Sequence, residues 1–422
     1  MKINNKPLLA TKRTCTGCMA CSDACNSNAL NMIVASDGHY YPKLNLDNCT
    51  NCGLCTKVCP IVSKFDYQSI ENISRPYAAW ANDDSIRMSS SSGGIFAPIA
   101  YHTIKNGGYV AGAIMDGISV KHILTNKAED IIQMQGSKYQ QADSMGVYNA
   151  VREKLKDGKF VFFTGVPCQV AALYSFLGKY GKSELLLTSD LACSGFPTSL
   201  LLKKFIEEKI GKDVENESKN IFISYRSKDK GWKKSQKFFV SYHSKDEEWD
   251  KSKKSLETDY GLNNFVYNGF LSGTTQRYSC SDCKFALLQR KADLTLADFW
   301  KDKRFPEEHY KGISCVVAHS ERGRTILTKN VYFTFHQVKW ADFIPYNKLV
   351  YHKLPFLKVH PARVFMAFNF KHLPFSMLEK IYGKKIKMND ILWHPYKIFN
   401  FVVFKIRTRK REKFIAMFLK KI

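Results

Sequence analysis

Through the middle of the chain, short apolar runs alternate with stretches whose apolar residues recur at helical spacing. Residues 108–115 (G-Y-V-A-G-A-I-M), 120–124, 160–164 (F-V-F-F-T) and 185–191 read as strands, the third apolar enough to be buried on both faces. A small-residue turn, S-S-S-S-G-G, opens a helix over 95–104, and further helices are predicted over 150–156, 170–177 and, strongly amphipathic, 199–210. Strands alternating with helices predict an α/β region. Residues 63–78 are polar, contain Pro76 and read as a linker, whereas 212–275 are more charged and read as an inserted or β-rich stretch. Past residue 340 the chain turns basic and aromatic with no clear alternation. The first 62 residues follow neither pattern: they contain one segment twice, offset by 34 positions, around a short strand and turn in G-H-Y-Y-P-K-L-N-L-D.

That repeat carries eight of the thirteen cysteines. Residues 14–25 (T-C-T-G-C-M-A-C-S-D-A-C) and 48–59 (N-C-T-N-C-G-L-C-T-K-V-C) each read C-x2-C-x2-C-x3-C, the run that binds paired [4Fe–4S] clusters. Three closely spaced thiolates cap three irons of one cube, and the fourth cysteine reaches the other cube. Cys15, Cys18, Cys21 and Cys59 are therefore expected to share one cluster, and Cys49, Cys52, Cys55 and Cys25 the second. Zinc seldom uses eight thiolates at this spacing, and nothing points to the secreted context of a disulfide framework. Asn26 stands where the second copy has Pro60, a change that removes no ligand.

Composition narrows the class. A hydrophobic content of 45% supports buried cores, and no apolar window reaches the length of a membrane span, so the chain is expected to be cytoplasmic, where thiols stay reduced. The opening M-K-I-N-N-K-P-L-L-A lacks a signal peptide's apolar stretch. The formal charge of +26 is concentrated at the end, where residues 341–422 hold 18 Lys and Arg against 4 Asp and Glu. No recognition module accompanies the charge, so nucleic acid is not an expected partner. Residues 396–422 place apolar patches around a basic centre, with Ile415, Phe418, Leu419 and Ile422 on one helical face. They read either as an interfacial helix making peripheral contact with the inner face of the membrane or as a helix packed on the catalytic region.

Five cysteines remain. Cys280 and Cys283 form a C-x2-C pair that suits a zinc half-site, a dithiol or two cluster ligands. Cys168 (T-G-V-P-C-Q) and Cys193 (D-L-A-C-S-G) each follow a predicted strand, where α/β sheets collect ligands. Together these four could hold a third cluster, or Cys168 and Cys193 could be small buried hydrophobes. Ser91, Ser92, Gly93 and Gly94 offer hydroxyls and backbone N–H groups at a helix start, a candidate phosphate cradle. Gly136, Ser137, Lys138 and Tyr139 form a second turn with a cation and an aromatic ring, and either turn could also be an ordinary surface turn.

Taken in order, S-S-S-G-G, G-S-K-Y, T-G-V-P-C-Q, D-L-A-C-S-G, Y-R-S-K-D-K-G-W, C-S-D-C and A-D-L-T-L-A-D-F-W resemble the family of coenzyme F420 hydrogenase/dehydrogenase beta subunits, in the form with an N-terminal ferredoxin module. The basic tail resembles the bacterial polysaccharide-associated type. The resemblance implies domains over 1–62 (2[4Fe–4S] ferredoxin-type), 75–157 and 158–340 (the family's N- and C-terminal regions), with 341–422 a basic extension, and an α+β to α/β fold overall. It implies a third [4Fe–4S] cluster on Cys168, Cys193, Cys280 and Cys283, and a FAD lined by 91–94 and 136–139. Lys138 becomes the candidate catalytic contact. Cys315 falls outside the motifs and reads as core, while Arg226, Lys228, Gly231, Trp232, Asp293 and Asp298 match family segments without an assigned role.

The implied activity is that of an iron–sulfur flavoprotein oxidoreductase. Clusters pass single electrons, many substrates exchange two together, and a flavin connects the regimes. Expected partners are a redox protein, either a ferredoxin or a dehydrogenase subunit, and an anionic substrate: an F420-like deazaflavin or a polysaccharide-pathway intermediate. The alternative is a non-catalytic electron-transfer subunit that supplies a partner enzyme.

Overall fold

The computed structural model describes residues 6–67, 74–211, 221–235, 238–243, 253–257, 265–271, 273–300, 303–329, 331–343, 369–370 and 372–383. The tail hypothesis for 396–422 lies outside these residues. Among the described residues no helix is long and apolar enough to cross a membrane.

In the N-terminal module, α1 (Ala20–Asp23) follows the first cysteine loop, β1 (Leu30–Val34) pairs antiparallel with β2 (Tyr40–Leu44), and α2 (Leu54–Val58) follows the second loop. Next come β3 (Arg75–Ala81), α3 (Asp84–Ser89), α4 (Phe96–Lys105), β4 (Tyr109–Asp116), β5 (Ser119–Thr125), α5 (Glu129–Met134) and α6 (Val147–Lys156). They are followed by β6 (Val161–Gly165), α7 (Pro167–Leu177), β7 (Leu186–Leu191) and α8 (Ser199–Lys209). The stretch expected to be inserted or β-rich holds a separate antiparallel sheet of β8 (Ile221–Ser224), β9 (Phe239–His243) and β10 (Lys253–Glu257), then α9 (Phe265–Leu271). The chain returns through β11 (Leu294–Asp298), β12 (Ser314–Ala318), α10 (Glu321–Thr328) and β13 (Phe333–Gln337).

Eight strands form one mixed sheet in the order β13-β3-β12-β11-β7-β6-β4-β5. β11, β7, β6 and β4 run parallel through its centre, and antiparallel neighbours close both sides. The period of two sends Val161, Phe163 and Leu186 to one face, against α6, α7 and the N-terminal module, and Phe162 and Leu187 to the other, against α4, α5 and α10. F-V-F-F-T is continuously apolar because both faces are covered.

The linker expected over 63–78 is corrected at its end. Arg75–Ala81 is a strand of the main sheet, paired with β12 on one side and β13 on the other. Every residue after Arg75 is buried, so R-P-Y-A-A-W-A shows no polar alternation. Pro76 is tolerated because its carbonyl accepts from the Val338 N–H at 3.0 Å, just past the β13 ladder, where no strand N–H is demanded of it.

Beneath β7 and β11 runs a buried polar chain. Arg290 pairs with Asp190 at 3.0 Å with both side chains fully enclosed, and Tyr67 Oη donates to the same carboxylate at 2.9 Å, as does the Thr295 hydroxyl. Thr295 Oγ1 also meets His319 Nε2 at 2.8 Å, and Ser74 Oγ meets His319 Nδ1 at 2.9 Å. Two hydroxyls can satisfy a neutral imidazole, one as donor and one as acceptor. Burial, reinforced by Arg290, pulls the His319 pKa down to about 3. The unfolded chain therefore binds the extra proton between the ordinary histidine pKa and about 3, so stability falls as pH drops through that window. From pH 7 to pH 5 this histidine is expected to cost about 2 kcal/mol. His319→Gln should show a shallower loss of melting temperature over that interval than the parent.

Candidate iron–sulfur centres

Each cysteine loop is shaped by its own backbone. Met19 and Gly53, each between the second and third cysteines of its C-x2-C-x2-C run, are left-handed at φ 72° and 74°, and each turns the chain into a short helix that carries the third cysteine. One cavity is lined by Cys15, Cys18, Cys21 and Cys59, and a second by Cys25, Cys49, Cys52 and Cys55. Each therefore takes three thiols from one loop and the fourth from the other. Among the described residues no three His, Cys, Asp or Glu side chains close on a single ion. The cysteines stand around cavities, an arrangement in which each thiolate would hold one iron of a bound [4Fe–4S] cluster.

Burial pushes the Cys18 thiol up to about 12, with Cys59 and Cys15 raising it further, and Cys21 is displaced the same way. Four thiolates this close and this dry need compensating positive charge, which an iron–sulfur core supplies. Cys52, by contrast, is exposed, and its pKa is lowered chiefly by the Leu54 backbone N–H.

A further four cysteines converge at the carboxyl ends of β6 and β7. Cys168 lies in the first turn of α7, after Pro167 at its first position, and Cys193 lies just beyond β7. A bridge between Pro197 and Gln276 carries the C-x2-C segment to them: the Thr198 N–H donates to the Thr275 carbonyl and the Arg277 N–H to the Phe196 carbonyl, both at 2.8 Å. The Phe196 N–H then donates to Cys280 Sγ at 3.4 Å and the Gly195 N–H to Cys193 Sγ at 3.3 Å. Burial holds the Cys168 thiol well above its ordinary range, and Cys193, Cys283, Cys18 and Cys280 all add to the effect. Cys18 of the first set is thus the neighbour of Cys168. Cys315, outside the group, is fully buried in β12.

The module is clamped to the sheet domain beside its first cavity. Arg277, fully buried, donates through Nε to the Cys15 carbonyl at 2.6 Å, through one terminal nitrogen to the Tyr40 carbonyl at 2.7 Å, and through the other to Gln141 Oε1 at 3.1 Å. Gln141 Nε2 donates to the Gly17 carbonyl at 2.8 Å. Asp23 caps α6 from outside that domain, accepting from the backbone N–H groups of Gly146 at 2.6 Å and Tyr148 at 3.1 Å. Tyr148 Oη donates to the Cys18 carbonyl at 2.8 Å.

The two small-residue turns are joined: the Ser137 N–H donates to Ser91 Oγ at 2.7 Å, and the hydroxyls meet at 2.8 Å. Several groups expected to be free are engaged. The Gly93 N–H donates to Ser314 Oγ at 2.9 Å, and Ser92 Oγ donates to the Ile313 carbonyl at 2.8 Å. Lys138 Nζ donates to the carbonyls of Met134 at 3.1 Å, Gln135 at 2.8 Å and Gly136 at 3.2 Å, closing the end of α5. Burial draws its pKa down to about 7, against carbonyls that favour the ammonium. Tyr139 packs among Tyr225, Tyr267 and Phe270.

The matched residues without a role collect on the 91–94 turn. Trp232 Nε1 and Arg226 both donate to the Ser91 carbonyl, at 3.1 and 2.8 Å, and Arg226 pairs with Asp298 at 3.0 Å. Lys228 Nζ donates to the carbonyls of Arg87, Ser92 and Lys311. Trp232 stacks on Trp300 with centroids 4.4 Å apart, and Gly231 enters this corner at φ 80°. Asp293 instead ties β7 to α10, accepting from the Thr188 N–H at 2.8 Å and from the Ser320 hydroxyl at 2.5 Å.

Sequence reasoning missed Arg277, Arg290, Asp190, Gln141 and Asp23. Asp190 did leave a signal, since it is the one acid in the apolar strand L-L-L-T-S-D-L.

Comparison with known proteins agrees with this layout. A family model for the 4Fe–4S dicluster domain matches residues 14–62. Models for the coenzyme F420 hydrogenase/dehydrogenase beta subunit match residues 76–148 (N-term) and 158–339 (C terminus), together more than half of the chain. One of the F(420)H(2) dehydrogenase subunits of Methanosarcina mazei is 26% identical over 231 residues, 52% of this chain and 63% of that protein, so the chain spans less than two thirds of that relative's length. A chain of the F420-reducing [NiFe] hydrogenase complex from Methanosarcina barkeri, solved in a xenon-derivatized form, is 16% identical with a TM-score of 0.41, over 79% of this chain and 98% of that one. With both halves of one family's pattern following a dicluster module, the chain belongs to the family of coenzyme F420 hydrogenase/dehydrogenase beta subunits.

Proposed function

We propose that the chain is an iron–sulfur flavoprotein oxidoreductase with three [4Fe–4S] clusters and one FAD, acting on an anionic two-electron substrate of the deazaflavin class. The observation that carries this reading is the convergence of Cys168, Cys193, Cys280 and Cys283 beside Cys18. Bound clusters would supply one-electron transfer and a bound flavin would exchange electrons in pairs.

The residues give that chemistry an order. The Cys25/Cys49/Cys52/Cys55 set opens to solvent at Cys52, where a redox partner protein would dock. The Cys15/Cys18/Cys21/Cys59 set lies inside it, and the Cys18–Cys168 neighbourhood leads into the sheet domain. Arg277, Gln141 and Asp23 hold this approach rigid. At the far turn Arg87 and Arg226 pair with Glu308 and Asp298, and burial lowers the Lys228 pKa to about 7, so an anionic nucleotide near Ser91 and Ser137 would favour its charged form. Lys138, its donors engaged by its own turn, serves there by holding the turn in shape.

Cys168→Ser tests the reading. Iron in the anaerobically reconstituted protein is expected to fall from about twelve to about eight per chain while the N-terminal clusters persist. Unchanged iron would sink it. Flavin-dependent turnover of a deazaflavin by the parent chain with a chemical reductant separates an enzyme from an electron-transfer subunit, which would give none.

A further inference from the structure

Arg277 is a fully buried cation whose hydrogen bonds all go to neutral oxygens. Two of them are backbone carbonyls, those of Cys15 and Tyr40, and the third is the Gln141 amide. Among the described residues no carboxylate pairs with it. Asp37 stands one ring away: Tyr41 lies 4.2 Å from the guanidinium and donates to Asp37 at 3.0 Å, and Asp37 already faces Lys12 at 3.5 Å. Asp143, two residues past Gln141, accepts instead from the Met145 N–H at 3.0 Å. A lone buried cation is costly unless an anion stands close by. The backbone brings this charge to the first cysteine set. A β-carbon on Gly17 would lie 2.8 Å from a terminal nitrogen of Arg277, while the Gly17 N–H donates to Cys15 Sγ at 3.4 Å. One glycine therefore separates the guanidinium from a ligand sulfur. Its own backbone is fixed from the sheet domain, where the Arg277 N–H donates to the Phe196 carbonyl at 2.8 Å. A [4Fe–4S] cube held by four thiolates is net negative in both redox states and fits that charge.

We propose that Arg277 is a positioning residue for electron transfer, a permanent buried charge that raises the reduction potential of the cluster held by Cys15, Cys18, Cys21 and Cys59. The inference rests on the dicluster reading of the N-terminal module and is independent of the third cluster. Reduction adds one electron, passed from the outer cysteine set's cluster in turnover or from dithionite in a titration. No bond is made or broken. With water excluded, a cation fixed on the Cys15 loop favours the more negative, reduced form. A guanidinium stays protonated at any working pH, so the setting is constant. This role goes beyond the clamp that Arg277 makes, which uncharged donors would make equally.

The test is an anaerobic redox titration of the reconstituted full chain, followed by electron paramagnetic resonance, with iron counted in each sample. In Arg277→Gln, which keeps donors but loses the charge, one wave should move to lower potential. In Arg277→Lys, which keeps the charge but not the fork of donors, that wave should stay near the parent. The moving wave should be one that persists in Cys168→Ser, and a shift confined to the wave that Cys168→Ser abolishes would overturn the inference. Loss of about four irons in Arg277→Gln but not in Arg277→Lys would equally assign the role to the charge. The same behaviour in both variants, whether both shift, both stay or both lose iron, would reduce Arg277 to a clamp and overturn the inference. A parent with two waves and about eight irons would refute the third cluster and leave this test standing.

Discussion

Asp190→Ala is expected to destabilise the protein by about 3–5 kcal/mol, because it strands a fully buried guanidinium. The carboxylate sits in the central parallel strand β7 and accepts from Arg290, Tyr67 and Thr295, and Thr295 passes the network on to His319 and Ser74. Alanine leaves those donors facing one another in a dry interior, where an unmade hydrogen bond costs its full desolvation. Restoring neutrality is expected to recover much of the loss, so Asp190→Ala/Arg290→Met should be more stable than Asp190→Ala alone. Urea midpoints for the parent, both single variants and the double variant close the cycle. A cost below about 1 kcal/mol for Asp190→Ala would mean that the chain of polar groups does not hold the sheet together.

Gly93→Ala should be comparably severe for a steric reason. A β-carbon there would lie 2.5 Å from the Ala79 carbonyl oxygen and 2.6 Å from the Ser314 nitrogen, both backbone atoms of paired residues in β3 and β12. Neither can retreat without opening the ladder, so a cost of about 3 kcal/mol is expected. Gly136→Ala is the control within the same pair of turns. Its β-carbon would meet nothing within 4 Å, and only the left-handed φ of +81° opposes it. That strain is worth about 1–2 kcal/mol. Melting temperatures that fall equally for the two variants would contradict the packing described for the 91–94 turn.

How far the sequence spoke varied with how local each signal was. The two C-x2-C-x2-C-x3-C runs set their own geometry within a dozen residues, and the strands around 108–125, 160–164 and 185–191 announced themselves by apolar character. β3 did not, because a strand covered on both faces and rich in alanine has neither alternation nor bulk, and Pro76 argued against it. The cysteines of the third group were legible as a candidate set, but not the contact that brings them together. What unites them is the Pro197–Gln276 bridge, a pairing across nearly eighty residues that no periodicity records. The 91–94 turn was legible as a turn, while the engagement of its groups by Ile313 and Ser314 depends on β12 arriving from far along the chain. Lys138 is the opposite case: its amine is claimed by its own helix end, within four residues, rather than left for a ligand.

The central claim is that this chain carries three clusters and a flavin. The measurement that tests it most directly is iron, acid-labile sulfide and flavin quantified per chain after strictly anaerobic purification. The account predicts about twelve irons, a matching amount of sulfide and one FAD, since each cube contains four irons. About eight irons with no flavin would contradict it, leaving a two-cluster module joined to a domain whose four converging cysteines serve only its packing.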